Sequence, residues 1–98
     1  MELEDRYEFW TIYDAFASLG RSYADSYDSD IEIIVQADQL GYSEAWTGEH
    51  ITETWENVQV PELLMSKALA MTENIVLATG VTMLPLYYPV DTARRIAM

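Results

Sequence analysis

Apolar and polar positions fall into short blocks along this chain, and the period changes from block to block. "EFWTIY" (8–13) is aromatic and β-branched, which reads as a strand. "DAFASLGRSYADSYDSD" (14–30) is dense in Gly, Ser and Asp and reads as a long loop. A helix is expected to follow, capped by Asp28, Ser29 or Asp30, because Ile33, Ile34, Ala37 and Leu40 recur at a 3–4 spacing. Gly41 stands where a glycine commonly ends a helix. "SEAWT" (43–47) reads as a short second strand, and a polar loop runs to about residue 60. Pro61 suits the first turn of a second helix, "ELLMSKALAMTE", whose apolar stripe is Leu64, Met65, Ala68 and Leu69. "NIVLATGV" (74–81) is a continuous apolar run, as expected of a strand buried on both faces. "TMLPLYYP" reads as a loop. Asp91 then caps, or lies in the first turn of, a last helix, "TARRIAM".

The expected order is β-α-β-α-β-α. Alternation of this kind implies a parallel sheet with right-handed crossovers, hence an α/β fold. Parallel sheets bury both faces, and three strands are too few to do so. The last helix also reaches Met98 without a C-cap signal. Residues 1–98 are therefore expected to be the N-terminal part of a longer domain. A (β/α)8 barrel needs about 250 residues, and a doubly wound sheet also needs more strands than three.

Composition narrows the roles. Half of the 98 residues are hydrophobic, so a packed core is expected rather than disorder. Seventeen acidic residues against five basic ones give a net charge of −12. Nucleic acids and anionic membranes need clustered Lys and Arg, and the one adjacent basic pair is Arg94-Arg95, which reads most simply as a solvated helix face. There is no cysteine, which removes disulfides and thiolate chemistry and fits a reducing, cytoplasmic setting. No run reaches the roughly 18 apolar residues of a membrane span.

In barrels and open α/β sheets alike, chemistry sits at the carboxyl ends of the strands. Those ends are expected near Tyr13-Asp14, near Trp46 to His50, and near Ala78 to Val81. His50 is the chain's single histidine and a candidate acid, base or hydrogen-bond donor. Taken alone, a loop histidine is more often structural. Its neighbour Glu49 has no second histidine at the zincin spacing, so no metal site is expected. Gly80 at a strand end suits a bulge or a close backbone approach. Neither a dinucleotide fingerprint, nor a P-loop, nor a serine elbow is present. Trp46, Trp55, Tyr87 and Tyr88 are core or rim aromatics, or the lining of a pocket for a flat ring.

Two longer stretches carry a resemblance. "ADQLGYSEAWTGEHITETWENV" and "LATGVTMLPLYYPVDTARRIAM" resemble luciferase-like flavin-dependent monooxygenases, and "LGRSYA" (19–24) is similar to their limonene-monooxygenase-like branch. The match covers about residues 9 to 98. The family pattern has LG[FY]-x-x-x-W-x-x-EH at the second strand and GTGV-x-x-LP-x-x-[HY]P-V at the third. The resemblance implies the first three βα units of a TIM-type (β/α)8 barrel. It implies reduced FMN and O2 acting on a small organic substrate, with a flavin reductase as the source of reduced FMN and a homo-oligomeric full-length protein. It makes His50 catalytic and Glu49, Thr79, Gly80 and Val81 cofactor-binding. Gly80-Val81 matches a place where many members have a non-proline cis peptide under the flavin ring. Many members also carry a second histidine where Ile51 stands, and the usual phosphate ligands come from later strands. Two alternatives remain: a deazaflavin-dependent oxidoreductase of the same fold, and a non-catalytic fragment that only associates with a partner.

Overall fold

A computed structural model describes residues 10–13 (backbone only), 20–51, 56 and 58–98. Residues 8 and 9 of the expected first strand, Asp14 and Trp55 lie outside the described residues. The elements are β1 (Trp10–Tyr13), α1 (Tyr23–Gln39), β2 (Glu44–Thr47), α2 (Pro61–Leu69), β3 (Val76–Thr79), a 3-10 turn (Leu84–Leu86) and α3 (Pro89–Ala97). The three strands form one parallel sheet in the order β1-β2-β3. Trp46 pairs in register with Ile12 and Ala78, and Thr47 with Tyr13 and Thr79.

The first helix starts earlier than its composition suggests. Ser22 is the N-cap, not Asp28, Ser29 or Asp30, and residues 23–30 are helical rather than loop. The Ser22 Oγ accepts the Asp25 backbone N–H at 3.1 Å and donates to the Asp25 carboxylate at 2.7 Å. This reciprocal bond satisfies a first-turn donor that the chain would otherwise leave to water. The polar run then stays helical because its residues sort by face. Ser26 and Asp30 join Ile31, Ile34 and Ala37 on the buried side, while Ile33 and Leu40 of the expected stripe are exposed.

Gly41 ends α1 with φ +84°, a conformation that costs a Cβ-bearing residue extra energy. Its N–H donates to Asp38 O, and the Tyr42 N–H donates to Ala37 O, the paired bonds of a Schellman cap. Asp38 then staples the next turn. Its carboxylate accepts the backbone N–H groups of Glu73, Asn74 and Ile75 at 2.7, 3.0 and 2.8 Å, at the entrance to β3.

The core lies between the sheet and the first two helices. Ile31, Ile34 and Ala37 meet Ala45 of β2, Val58 of the following loop, Leu64 and Ala68 of α2, and Ile75. Met65 is half-buried and Leu69 is exposed, so the α2 stripe is narrower than the sequence suggests. The third strand departs from expectation. Val76 is 58% exposed, so β3, an edge strand of the described sheet, is not buried on both faces. The last helix starts at Pro89, earlier than expected, with Asp91 in its first turn, and none of its residues is fully buried.

Candidate active site

The carboxyl ends of β2 and β3 meet through the backbone. The Gly80 N–H donates to the Thr47 carbonyl at 2.8 Å, extending the strand pairing by one step. That bond sets the segment Gly48-Glu49-His50 beside Thr79-Gly80-Val81. The Gly80–Val81 peptide is cis. Gly80 also lies against the Trp46 ring: a Cβ there would stand 3.1 Å from Trp46 Cε3 and 3.4 Å from Trp46 Cβ. The glycine is thus explained by close approach to a neighbouring side chain, not by a positive φ. Trp46 is itself anchored, its indole N–H donating to Glu44 at 2.8 Å. Thr79 is half-buried, and its hydroxyl accepts from Thr82 at 2.9 Å. Val81 is exposed.

Glu49 is the most enclosed charge at this end, with a fully buried side chain. One oxygen accepts the Met83 backbone N–H at 2.8 Å, and the other accepts the Tyr87 hydroxyl in a short hydrogen bond. Arg95 of α3 lies 4.0 Å from the same carboxylate, bonds Glu62 of α2 at 2.7 Å, and stacks over the Tyr87 ring at 4.4 Å. The network ties the end of β2 to the 82–88 segment, to α2 and to α3. Burying a carboxylate demands such partners. The Glu49 bond holds the Tyr87 phenol above its ordinary pKa, because ionising it would lose the donated proton beside a carboxylate; Arg95 acts in the opposite sense. The Arg95 guanidinium is held more firmly protonated, chiefly by its bond to Glu62.

His50 sits three residues beyond β2, half-buried. Its backbone N–H donates to Val58 O at 2.9 Å, and its Nδ1 lies 2.5 Å from the Glu56 carboxylate. Glu56 and Val58, both further along the chain, thus hold the histidine. A groove follows β3, lined by Val76 to Thr79, with Trp46, Leu69 of α2 and Ile96 of α3 among its walls.

The aromatics and arginines divide in ways the sequence does not announce. Trp46 lines the groove, Tyr87 serves the carboxylate network, and Tyr88 is 78% exposed. Arg94 is solvated as expected, whereas Arg95 is committed to Glu62 and Tyr87. Sequence reasoning missed Arg95, Tyr87 and Glu56 as members of these clusters. The first two are 33 or more residues from the acids they meet. Glu56 had a local signal, an acid in the same loop as the histidine. Among the described residues, no group of three or more His, Cys, Asp or Glu is placed to hold a metal, and no helix is long and apolar enough to cross a membrane.

Consecutive parallel βα units, with polar side chains gathered at the carboxyl ends of the strands, define a protein of the α/β class. Strand order alone leaves room for a doubly wound sheet, whose first three strands can also run consecutively. Comparison with known proteins decides the matter. The family model described as luciferase-like monooxygenase matches residues 8–98, and the chain belongs to that family. It is 35% identical over 91 residues to 4-hydroxyprotoasukamycin monooxygenase of Streptomyces nodosus subsp. asukaensis, a match covering 93% of this chain and 24% of that protein. It is 38% identical over 69 residues to limonene 1,2-monooxygenase of Rhodococcus erythropolis, covering 70% of this chain and 18% of that one. The fold is similar to the oxygenating constituent of 3,6-diketocamphane monooxygenase of Pseudomonas putida, a type II Baeyer-Villiger monooxygenase solved with FMN. That likeness has a TM-score of 0.85 at 35% identity and covers 91% of this chain and 24% of that chain. The chain thus spans about a quarter of the length of such relatives. Its fold is three βα units of a TIM-type (β/α)8 barrel.

Proposed function

We propose that this chain carries the ring-side part of a reduced-FMN site, in a monooxygenase that uses O2 to oxygenate a small organic substrate. The supporting observation is the bond from the Gly80 N–H to the Thr47 carbonyl, which brings the segment bearing His50 and the segment bearing Gly80 to one end of the sheet. The residues fit a flat, largely apolar ring. Gly80 presents backbone without a side chain, its neighbour Val81 is exposed, and Trp46 packs behind the glycine. The similarity to a protein solved with FMN favours FMN over a deazaflavin. In this reading, residues 1–98 are the first part of a barrel domain and the phosphate is held by strands beyond these three. Arg95, a cation near the Glu49 carboxylate, is already engaged by Glu62.

When bound, reduced FMN supplies the two electrons with which one atom of O2 enters the substrate and the other leaves as water. The chain's own residues do the rest. Thr79, Gly80 and Val81 form the backbone shelf for the ring. Glu49 supports the shelf through the Met83 N–H and Tyr87, one turn further along the same segment. His50 holds or moves a proton beside the reacting centre, a role open to an imidazole because its two nitrogens can donate and accept.

The test is an anaerobic titration of the full-length protein with reduced FMN, followed by tryptophan fluorescence, with turnover of a cyclic ketone or terpene in air. The expected result is saturable quenching, with turnover in His50→Ala reduced by at least about a hundredfold. Absence of saturable quenching would overturn the FMN reading, and full turnover in His50→Ala would remove His50 from the chemistry.

A further inference from the structure

We propose that Glu56 is a positioning residue that fixes the tautomer of His50, making the pair a Glu–His dyad with Nε2 as the basic nitrogen. The inference rests on the proposed role of His50 only for its catalytic consequence. The dyad itself rests on geometry.

Nδ1 of His50 lies 2.5 Å from the Glu56 Oε2 atom, an ion-pair contact closer than the roughly 2.7 Å at which ordinary N–H···O bonds begin. An ionised carboxylate has no proton to give and only accepts. The proton in that bond therefore belongs to Nδ1. In the neutral imidazole one nitrogen donates and the other accepts, so a proton on Nδ1 puts the lone pair on Nε2. A histidine in water samples both tautomers. Here one is selected before any substrate arrives.

The contact differs from a loose surface pair, whose geometry side-chain entropy readily dissolves. The two side chains are 27% and 17% exposed, so water competes only weakly for the bond. The backbone is closed as well. The His50 N–H donates to Val58 O, two residues beyond Glu56, so a backbone bond lies beside the dyad. Val58 is in turn one of the best-buried residues of the core. The chain of support runs from the core through Val58 to the loop, from the loop to Glu56, and from Glu56 to the imidazole. A carboxylate that fixes the tautomer and orientation of a histidine is a recurrent device in acid–base sites.

The test is the 15N spectrum of the imidazole in protein labelled at histidine. The His50 signal is assigned by its loss in His50→Gln and read at the alkaline limit of its titration, where the ring is neutral. The wild-type protein is expected to show Nδ1 as the protonated, pyrrole-type nitrogen and Nε2 as the unprotonated, pyridine-type one. In Glu56→Ala both signals are expected to move toward the mixed values of a solvated histidine. Glu56→Gln, whose amide oxygen still accepts a hydrogen bond, is expected to fall between. A wild-type spectrum with the proton on Nε2 would overturn the dyad, as would a folded Glu56→Ala protein with the wild-type pattern. The wild-type spectrum decides even if both variants fold poorly. In turnover assays Glu56→Ala is expected to lower kcat by at least about tenfold with little change in KM. The spectrum involves neither flavin nor turnover, so the two ideas fail separately. A fixed tautomer with full turnover in His50→Ala would sink the catalytic reading and leave the dyad standing.

Discussion

Asp38 and Glu49 are two carboxylates at opposite ends of the same sheet, each holding together pieces of chain far apart in sequence. Asp38, at the end where β3 begins, is half-buried and accepts three consecutive backbone N–H groups. Glu49, at the end where β2 finishes, is enclosed and accepts one backbone N–H and one phenol, with a guanidinium alongside. Backbone amides make a fixed turn and little else. Side chains that ionise, stack and bridge make an environment. The difference matches the division of labour in βα folds, where one end of the strands serves stability and the other serves chemistry.

The two ends should also fail at opposite extremes of pH. The Asp38 carboxyl is held below its ordinary range, chiefly by the Glu73 N–H; burial, the next-largest effect, opposes this, and the Asn74 and Ile75 N–H groups add to the lowering. Its contribution to stability is present above the unfolded value of about 3.9 and is lost as pH falls through the lower folded value. Tyr87 is shifted upward, mainly by its bond to Glu49. Its contribution is complete below the unfolded value of about 10 and is lost as pH rises through the higher folded one. Acid should therefore loosen the Asp38 turn first, and alkali the Glu49 network. Amide exchange at Glu73 to Ile75 and at Met83, followed against pH, checks the order.

The sharpest way to break the comparison is Glu49→Ala. It strips a buried network of its acceptor and leaves the Met83 N–H and Tyr87 hydroxyl without it. A loss of about 3 kcal/mol in unfolding free energy is expected, read from denaturant midpoints. Asp38→Ala should come next, with a clearly smaller fall in midpoint because water can reach its half-exposed turn, and with a flattened acid limb in the stability profile. Gly80→Ala should cost about 1–3 kcal/mol by crowding Trp46, with a changed tryptophan emission because the ring must give way. Ser22→Ala should be mildest, at about 1 kcal/mol, and should appear as fraying at the start of α1 in amide exchange.

The fold was legible where the signal is local. Gly41 ends a helix, Pro61 opens one, and a glycine follows the apolar run of β3, each for a reason confined to a few residues. The start of α1 was not legible, because "DSYDSD" has the composition of a loop. It stays helical through a cap at Ser22 and through a buried face that accepts Ser26 and Asp30. The apolar stripe was misjudged for a related reason. Which of Ile31, Ile33 and Ile34 faces the sheet depends on the rotation of the helix, and periodicity over one turn does not fix it. At the candidate site, the strand ends could be located from the alternation of elements. The side-chain partners could not, because Glu49 meets Met83 and Tyr87 across 34 and 38 residues. Three-dimensional closure, not spacing, joins them.

The central claim is that ligand chemistry belongs to the His50 and Gly80 end of the sheet and not to the Asp38 end. The affinity for reduced FMN of Gly80→Ala and of Asp38→Asn, measured side by side where both remain folded, tests it most directly. The account predicts a loss of about tenfold or more in Gly80→Ala, equivalent to about 1.4 kcal/mol of binding, and wild-type affinity in Asp38→Asn. Equal losses in both, or a loss only in Asp38→Asn, would contradict it.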